Sequence, residues 1–200
     1  MLLGVSDLER GIAFVEERTG IRAKFGGVHP GRGTQNALLA LGERRYLEII
    51  APDPKQEKIA QHAEIKEMRE PRLVGWAAHT DDVAALAKRA TDAGVAGVGP
   101  IDGSRVRPDG KTLRWKVFGL SDDQGGLLPF FIEWSRDSVH PSVDAPSGGR
   151  LVSFAATTPK PDELAAVCRK LGIDLTVERG EKPQLRARVS GPKGETEFTS

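Results

Sequence analysis

Ser6-Asp7-Leu8-Glu9 running on to Gly20-Ile21, Thr80-Asp81-Asp82-Val83 to Gly94-Val95, and Thr158-Pro159 to Gly172-Ile173 are three copies of one pattern. In each, an acidic residue or proline behind a hydroxyl stands thirteen residues ahead of a glycine. Each copy also follows a short apolar stretch. A repeat of this kind specifies a supersecondary unit that cannot bury its apolar face alone, so it decides the fold before any single residue does. In the first copy, residues 2–5 read as a strand and Ser6 or Asp7 as a helix cap. Ile12, Phe14 and Val15 form the apolar side of that helix, and Gly20 ends it. Strands over 23–28, 34–41 and 46–50 follow, with turns at 30–33 and 42–45, so the unit is β-α-β-β-β.

The second unit repeats the order, with a strand at 73–78 and a helix at 81–93 carrying Val83, Leu86, Ala87 and Ala90 at helical spacing. Strands near 98–105, 112–120 and 127–134 complete it, joined by turns at 108–110 and 122–126. In the third, a strand at 151–156 and a helix at 161–171 precede strands at 174–177, 185–190 and 195–199. Residues 51–71 link the first two units, with a charged helix expected over 58–68. Residues 135–150, rich in proline, glycine and serine, read as a loop to the third. The fold class implied is α+β, with curved antiparallel sheets around a cleft. Residues 1–134 (units 1–50 and 72–134) form the paired module, and 151–200 form a third half-module. That third unit needs a partner for its sheet, either within the chain or across a homodimer.

The chain has 200 residues and is 38% hydrophobic, enough for a packed core. Its 29 basic residues balance 28 acidic ones to a formal charge of +1, so no global field draws it to nucleic acid or an anionic membrane. A small-molecule ligand is the expected partner. The single cysteine, Cys168, falls in the apolar stripe of Leu164, Val167 and Leu171 and reads as a buried, inert thiol. The start shows no signal-peptide pattern, which places the protein in the cytoplasm by default. A core strand begins at Met1 with no lead-in, which suggests residues upstream.

Several residues carry chemical potential. The glycines of the 29–34 segment permit tight turns and expose amides that suit a carboxylate or phosphate, with Arg32 adjacent and Thr34 and Asn36 on the ensuing strand. His29 sits where it can reach a ligand. Trp76, Trp115 and Trp134 suit either the core or the walls of a small-molecule cleft. Arg114 is expected to pair with Glu133 across adjacent strands. His62 and His140 fall in linkers and His79 at a strand end, all three reading as surface residues.

The repeated units, the opening Val5-Ser6-Asp7-Leu8-Glu9, the segment His29-Pro30-Gly31-Arg32-Gly33-Thr34-Gln35-Asn36, and the strands Tyr46-Leu47-Glu48-Ile49-Ile50 and Pro129-Phe130-Phe131-Ile132-Glu133-Trp134 resemble a glyoxalase-like domain of the vicinal oxygen chelate superfamily. The resemblance covers roughly the first 150 residues. It implies a small, oxygen-rich substrate and a divalent metal (Zn, Fe, Mn or Ni) held in the cleft, with Glu48 and Glu133 as ligands or catalytic carboxylates. The activity implied is that of a lyase, isomerase or dioxygenase. It also implies histidines seven residues before Asp7 and before Asp81; the first position precedes Met1 and the second is Val74. Those missing imidazoles favour an alternative, a metal-free protein that binds or sequesters a small molecule. A structural or regulatory interaction domain is the third class.

Overall fold

A computed structural model describes residues 1–56, 63–107 and 109–200. β1 (Leu2–Gly4) leads into α1 (Leu8–Thr19), where the Asp7 side chain caps the first turn by accepting the Arg10 amide at 2.9 Å. Gly20 ends that helix at φ 77°, a left-handed conformation that costs glycine nothing. β2 (Lys24–His29), β3 (Thr34–Ala40) and β4 (Tyr46–Pro52) complete the first unit.

The expected single strand over 73–78 is in fact two. β5 (Arg72–Gly75) and β6 (Ala77–His79) bond into different sheets. Between them Gly75 takes φ 155°, and the Trp76 indole is buried with Nε1 donating to Leu127 O at 2.9 Å. The second unit continues with α2 (Val83–Asp92), β7 (Gly97–Val106), β8 (Thr112–Leu120) and β9 (Phe130–Trp134). Its helix is capped by Asp82, whose side chain accepts the Ala85 amide at 2.9 Å, and so starts at Val83, two residues beyond the expected start at 81. A one-turn helix, α3 (Pro141–Asp144), interrupts the loop before the third unit. That unit comprises β10 (Arg150–Thr158), α4 (Pro161–Leu171), β11 (Thr176–Arg179), β12 (Gln184–Gly191) and β13 (Gly194–Thr199). Of the linking helix expected over 58–68, residues 63–67 form a 3₁₀ turn, and 58–62, with His62, lie outside the described residues.

The fold is α+β, and hydrogen bonding sorts the strands into three sheets. The first runs β2-β3-β4-β1-β5 and the second β6-β9-β8-β7, so in both units the first strand lies parallel beside the last. The third unit has the same order along the chain but not across its sheet, β11-β10-β12-β13, where β10 pairs in parallel with β11. Strand alternation gives the first two sheets a helix face and an open face. Leu39, Leu47 and Ile49 pack under Ile12 and Val15 of α1, while Phe118 and Phe131 pack under Val83, Leu86 and Ala90 of α2. Each such aliphatic side chain contributes about 1.5–3 kcal/mol relative to exposure.

The third unit finds its partner within its own chain. Leu185, Ala187, Val189 and Phe198 join the core of the first unit, Phe198 sits 6.2 Å from the Phe14 ring, and Leu171 of α4 packs with α2. Its outer face carries the exposed ion pairs Arg186–Glu197 and Arg188–Glu195. Among the described residues no helix is long and apolar enough to cross a membrane.

Candidate functional site

The open faces of the first two sheets enclose a cavity of about 590 Å³, within the range of small-molecule sites. Alternation selects its lining. Tyr46, Glu48 and Ile50 project from β4, and Thr34, Asn36 and Leu38 from β3. Facing them are Trp115 and Val117 from β8, and Phe130, Ile132 and Trp134 from β9. One wall is therefore polar at its centre, and the opposite wall is aromatic and apolar.

The polar wall is a single network. Asn36 Nδ2 donates to Glu48 Oε1 at 2.8 Å and lies 3.2 Å from His29 Nε2, while His29 Nδ1 lies 2.8 Å from Thr34 Oγ1. Burial lowers the His29 pKa, opposed by Glu48 and reinforced by the charges of Arg105 and Arg32. The neutral ring then fits one tautomer, with Nδ1–H donating to Thr34 and Nε2 accepting from Asn36. His29 Nε2 and Glu48 Oε1 are 3.7 Å apart, with side chains only 12% and 14% exposed. Among the described residues Glu48 Oε2 has no protein partner, which leaves it as the atom available to a ligand. Burial, helped by Glu48, drives the Tyr46 phenol well above its usual pKa, so it stays neutral.

Arg105 went unnoticed in the sequence, yet it is the buried cation of the site. It lies on β7, the edge of the second sheet, and reaches the edge of the first, where Nη1 donates to Gly26 O. The residue is 4% exposed, lines the cavity, and pairs with no carboxylate among the described residues. Burial lowers its pKa while Glu48 and Tyr46 favour its charged form. Gly26 makes room for this arrangement, since a Cβ there would stand 2.5 Å from Asn36 Oδ1 and 3.1 Å from Arg105 Nη1. Asn36 Oδ1 is itself buried without a hydrogen-bond partner.

Of the residues proposed from sequence, His29, Arg32, Thr34, Asn36, Glu48, Trp76 and Trp115 line this cavity. Glu133 and Arg114 do not. Glu133 alternates with Ile132 and Trp134 onto the helix face of β9, where Oε2 accepts the Val83 amide at 2.8 Å at the start of α2. Arg114 is not its partner, because Glu133 lies opposite Lys116; the Arg114 guanidinium is exposed, 4.0 Å from Asp137. The register explains the correction. Leu2, five residues before the cap Asp7, pairs with Glu48, and Ala77, five before the cap Asp82, pairs with Phe130. Phe130, not Glu133, is therefore the counterpart of Glu48.

The 29–34 loop likewise departs from expectation. Gln56 Oε1 accepts the amides of Gly31 and Gly33 at 2.9 and 3.2 Å, so a side chain already occupies donors that suited an anion. Gln56 Nε2 in turn donates to His29 O at 3.2 Å and to Asp53 Oδ2 at 2.8 Å, fixing the loop behind the imidazole.

A resident divalent metal needs three or more converging donors. Glu48 and His29 supply two, and no third His, Cys, Asp or Glu joins them among the described residues. Counted from the true cap Asp82, the second expected histidine position is Gly75, which offers no ligand atom. The Arg105 guanidinium already brings positive charge to the same carboxylate. These residues do not fit a resident metal ion.

Residues 1–194 match the model of a family described as a glyoxalase-like domain. A hypothetical protein from Staphylococcus aureus superposes with a TM-score of 0.69 at 18% identity, over 99% of this chain and 82% of that one. A variant of methylmalonyl-CoA epimerase from Streptomyces coelicolor, in complex with 2-nitronate-propionyl-CoA, gives 0.51 at 19% identity, over 69% and 94%. A mutant 4-hydroxymandelate synthase from Streptomyces coelicolor gives 0.51 at 17%, over 99% of this chain and 60% of its own. At such identities the likeness is one of fold. No curated protein matches the chain.

Proposed function

Because this chain belongs to the glyoxalase-like domain family, we propose that its cleft binds a small organic acid and moves a proton on it without a resident metal. The ligand has an apolar body, which packs against Trp115, Phe130 and Trp134, and an oxygen-rich anionic head directed at Arg105. The observation that carries this reading is that one cavity is lined both by a buried guanidinium, Arg105, and by a carboxylate, Glu48, with one oxygen unpartnered among the described residues.

The chemistry follows from the charges. A 2-oxo acid bound in this way places its C3–H bond near Glu48 Oε2. Breaking that bond sends the proton to Oε2 and the electron pair into the carbonyl, forming an enolate whose negative charge Arg105 stabilises. Delivery of that proton from Oε2 to the carbonyl oxygen completes a keto–enol isomerisation, and departure of a leaving group from C4, with the C3 electron pair forming the new double bond, completes a lyase reaction. Asn36 holds Glu48 through Oε1, and His29 holds Asn36, so the base is oriented before substrate arrives.

The test is calorimetric titration with 2-oxooctanoate and its neutral counterpart 2-octanone, followed by deuterium exchange at C3 monitored by NMR. The acid is expected to bind at least tenfold more tightly than the ketone, and Arg105→Met to erase that difference. Exchange is expected with the parent protein and not with Glu48→Gln. Equal binding of acid and ketone sinks the anion site; binding without exchange leaves sequestration as the function.

A further inference from the structure

A second chamber of about 380 Å³ adjoins the first, and Tyr46, Glu48, Trp76, Phe130 and Trp134 line both. Its far wall belongs to the third unit, through Leu151–Phe154 of β10 together with Asp174 and Thr176. The Phe154 ring meets Trp76 edge-on at 5.0 Å, so the third unit packs directly on the residue that divides the two paired sheets. The mouth carries Arg44, Arg45, His79 and His140.

Two arginines and two histidines gather at this mouth. Arg44 Nη2 lies 2.9 Å from His79 Nε2 and 3.3 Å from its Nδ1, and neither Arg44 nor Arg45 pairs with a carboxylate among the described residues. Among the described residues the chamber is lined by the carboxylates of Glu48, on the wall shared with the main cavity, and Asp174, on the opposite wall, while Asp81 contacts His79 at 2.9 Å. Arg44 is held in the left-handed region at φ 53°, an uncommon conformation for arginine, in the 42–45 turn that brings both guanidinium groups to one opening. The shared wall of Tyr46, Trp76, Phe130 and Trp134 thus lies between a buried cation on one side, Arg105, and a pair of arginines on the other.

We infer that the ligand is elongated and carries a second anionic group, a carboxylate or phosphate, which the Arg44–Arg45 turn receives while the body crosses the chamber walled by the third unit. This inference rests on the reading of the main cavity as an organic-acid site. The third unit then has a role in recognition, since it closes the chamber that a longer ligand occupies.

The experiment compares calorimetric affinities of 2-oxooctanoate, 2-oxooctanedioate and 2-oxo-8-phosphonooctanoate for the parent protein, Arg105→Met, and the double variant Arg44→Asn/Arg45→Gln. Asparagine tolerates the left-handed turn, which preserves the fold at that position. The dianions are expected to bind the parent at least tenfold more tightly than the monoanion. In the double variant that advantage is expected to disappear while 2-oxooctanoate affinity stays within twofold. The better of the two dianions identifies the terminal group as carboxylate or phosphate. Binding of 2-oxooctanoate with no dianion advantage, or an equal loss for all ligands in the double variant, overturns the second-chamber inference alone. Failure of 2-oxooctanoate to bind the parent overturns the underlying reading of the main cavity, and the inference with it.

Discussion

Replacing Glu133 with alanine is expected to destabilise the protein and leave its chemistry intact, although Glu133 looks in the sequence like the natural partner of Glu48. Its Oε2 accepts the Val83 amide at 2.8 Å, one of the backbone donors that the first turn of α2 cannot satisfy internally. A hydrogen bond to a charged acceptor contributes about 1.5–3 kcal/mol, and a carboxylate at a helix N-terminus gains a further fraction from the helix dipole. Partial exposure of the side chain sets the expected loss near 2 kcal/mol. For a domain of this size each kcal/mol moves the melting temperature by about 2–4 °C, giving a fall of about 4–8 °C. Glu133→Gln keeps an acceptor oxygen and is expected to lose roughly half as much. Calorimetric melting measures the stability, and C3 deuterium exchange on 2-oxooctanoate measures the site. The reasoning fails if Glu133→Ala melts within 1 °C of the parent, or if its exchange rate drops as far as that of Glu48→Gln.

Three further outcomes are expected. Protein purified without chelator should carry well under one equivalent of divalent metal, and adding EDTA should leave 2-oxooctanoate affinity unchanged; stoichiometric metal removed by chelator with loss of binding would contradict the donor-set argument. Gly26→Ala should push Asn36 and Arg105 off their present contacts, at a cost of about 1–3 kcal/mol in urea unfolding, and should weaken acid binding; parent-like values in both measurements would show that the pocket edge yields freely. Stability should fall as pH drops below about 6.5, because burial, Arg44 and His79 hold His140 down to about 4, and burial lowers His29 as well. Between those limits the unfolded chain binds the extra protons, so stability is fully present above the unfolded pKa and is lost as pH falls through the folded one. The His140 share is on the order of 1–2 kcal/mol after allowance for its partial exposure. Urea midpoints from pH 7 to 4 should slope accordingly, and His140→Asn should flatten the slope.

Helices and turns were legible because their signals are local. Apolar spacing and the glycine stops mark α1, α2 and α4, with Gly20, Gly94 and Gly172 taking φ of 77°, 73° and 69°. The break at Trp76 was not legible, because a strand that changes sheets keeps an unbroken apolar run. Arg105 gave no signal either. Its strand is mostly exposed, and its burial comes from the facing edge of another unit, far away in sequence. Gln56 was missed for a related reason, since a lone glutamine after a strand says nothing about which amides it will reach. Glu133 was misplaced because residue type was matched before register. Five residues back from each helix cap reaches the strand position that pairs with the site, and that count leads to Glu48 in one unit and Phe130 in the other.

That inequality explains how a repeated fold comes to present two unlike walls to one cavity. Two identical units would face each other with identical walls. Two carboxylates opposed across an apolar cavity would then raise each other's pKa or require a cation between them. Here one wall keeps the carboxylate with its supporting Asn36 and His29, the other presents Phe130, Trp115 and Trp134, and the compensating positive charge enters from the edge through Arg105. A ligand entering this cleft meets one polar wall and one apolar wall, so its anionic head and apolar body can be sorted by a single orientation. Had Phe130 been a glutamate, the same backbone would favour a metal and the Arg105 guanidinium would oppose it. The third unit extends the asymmetry, because its altered strand order brings β10 against Trp76 at one end of the cleft only.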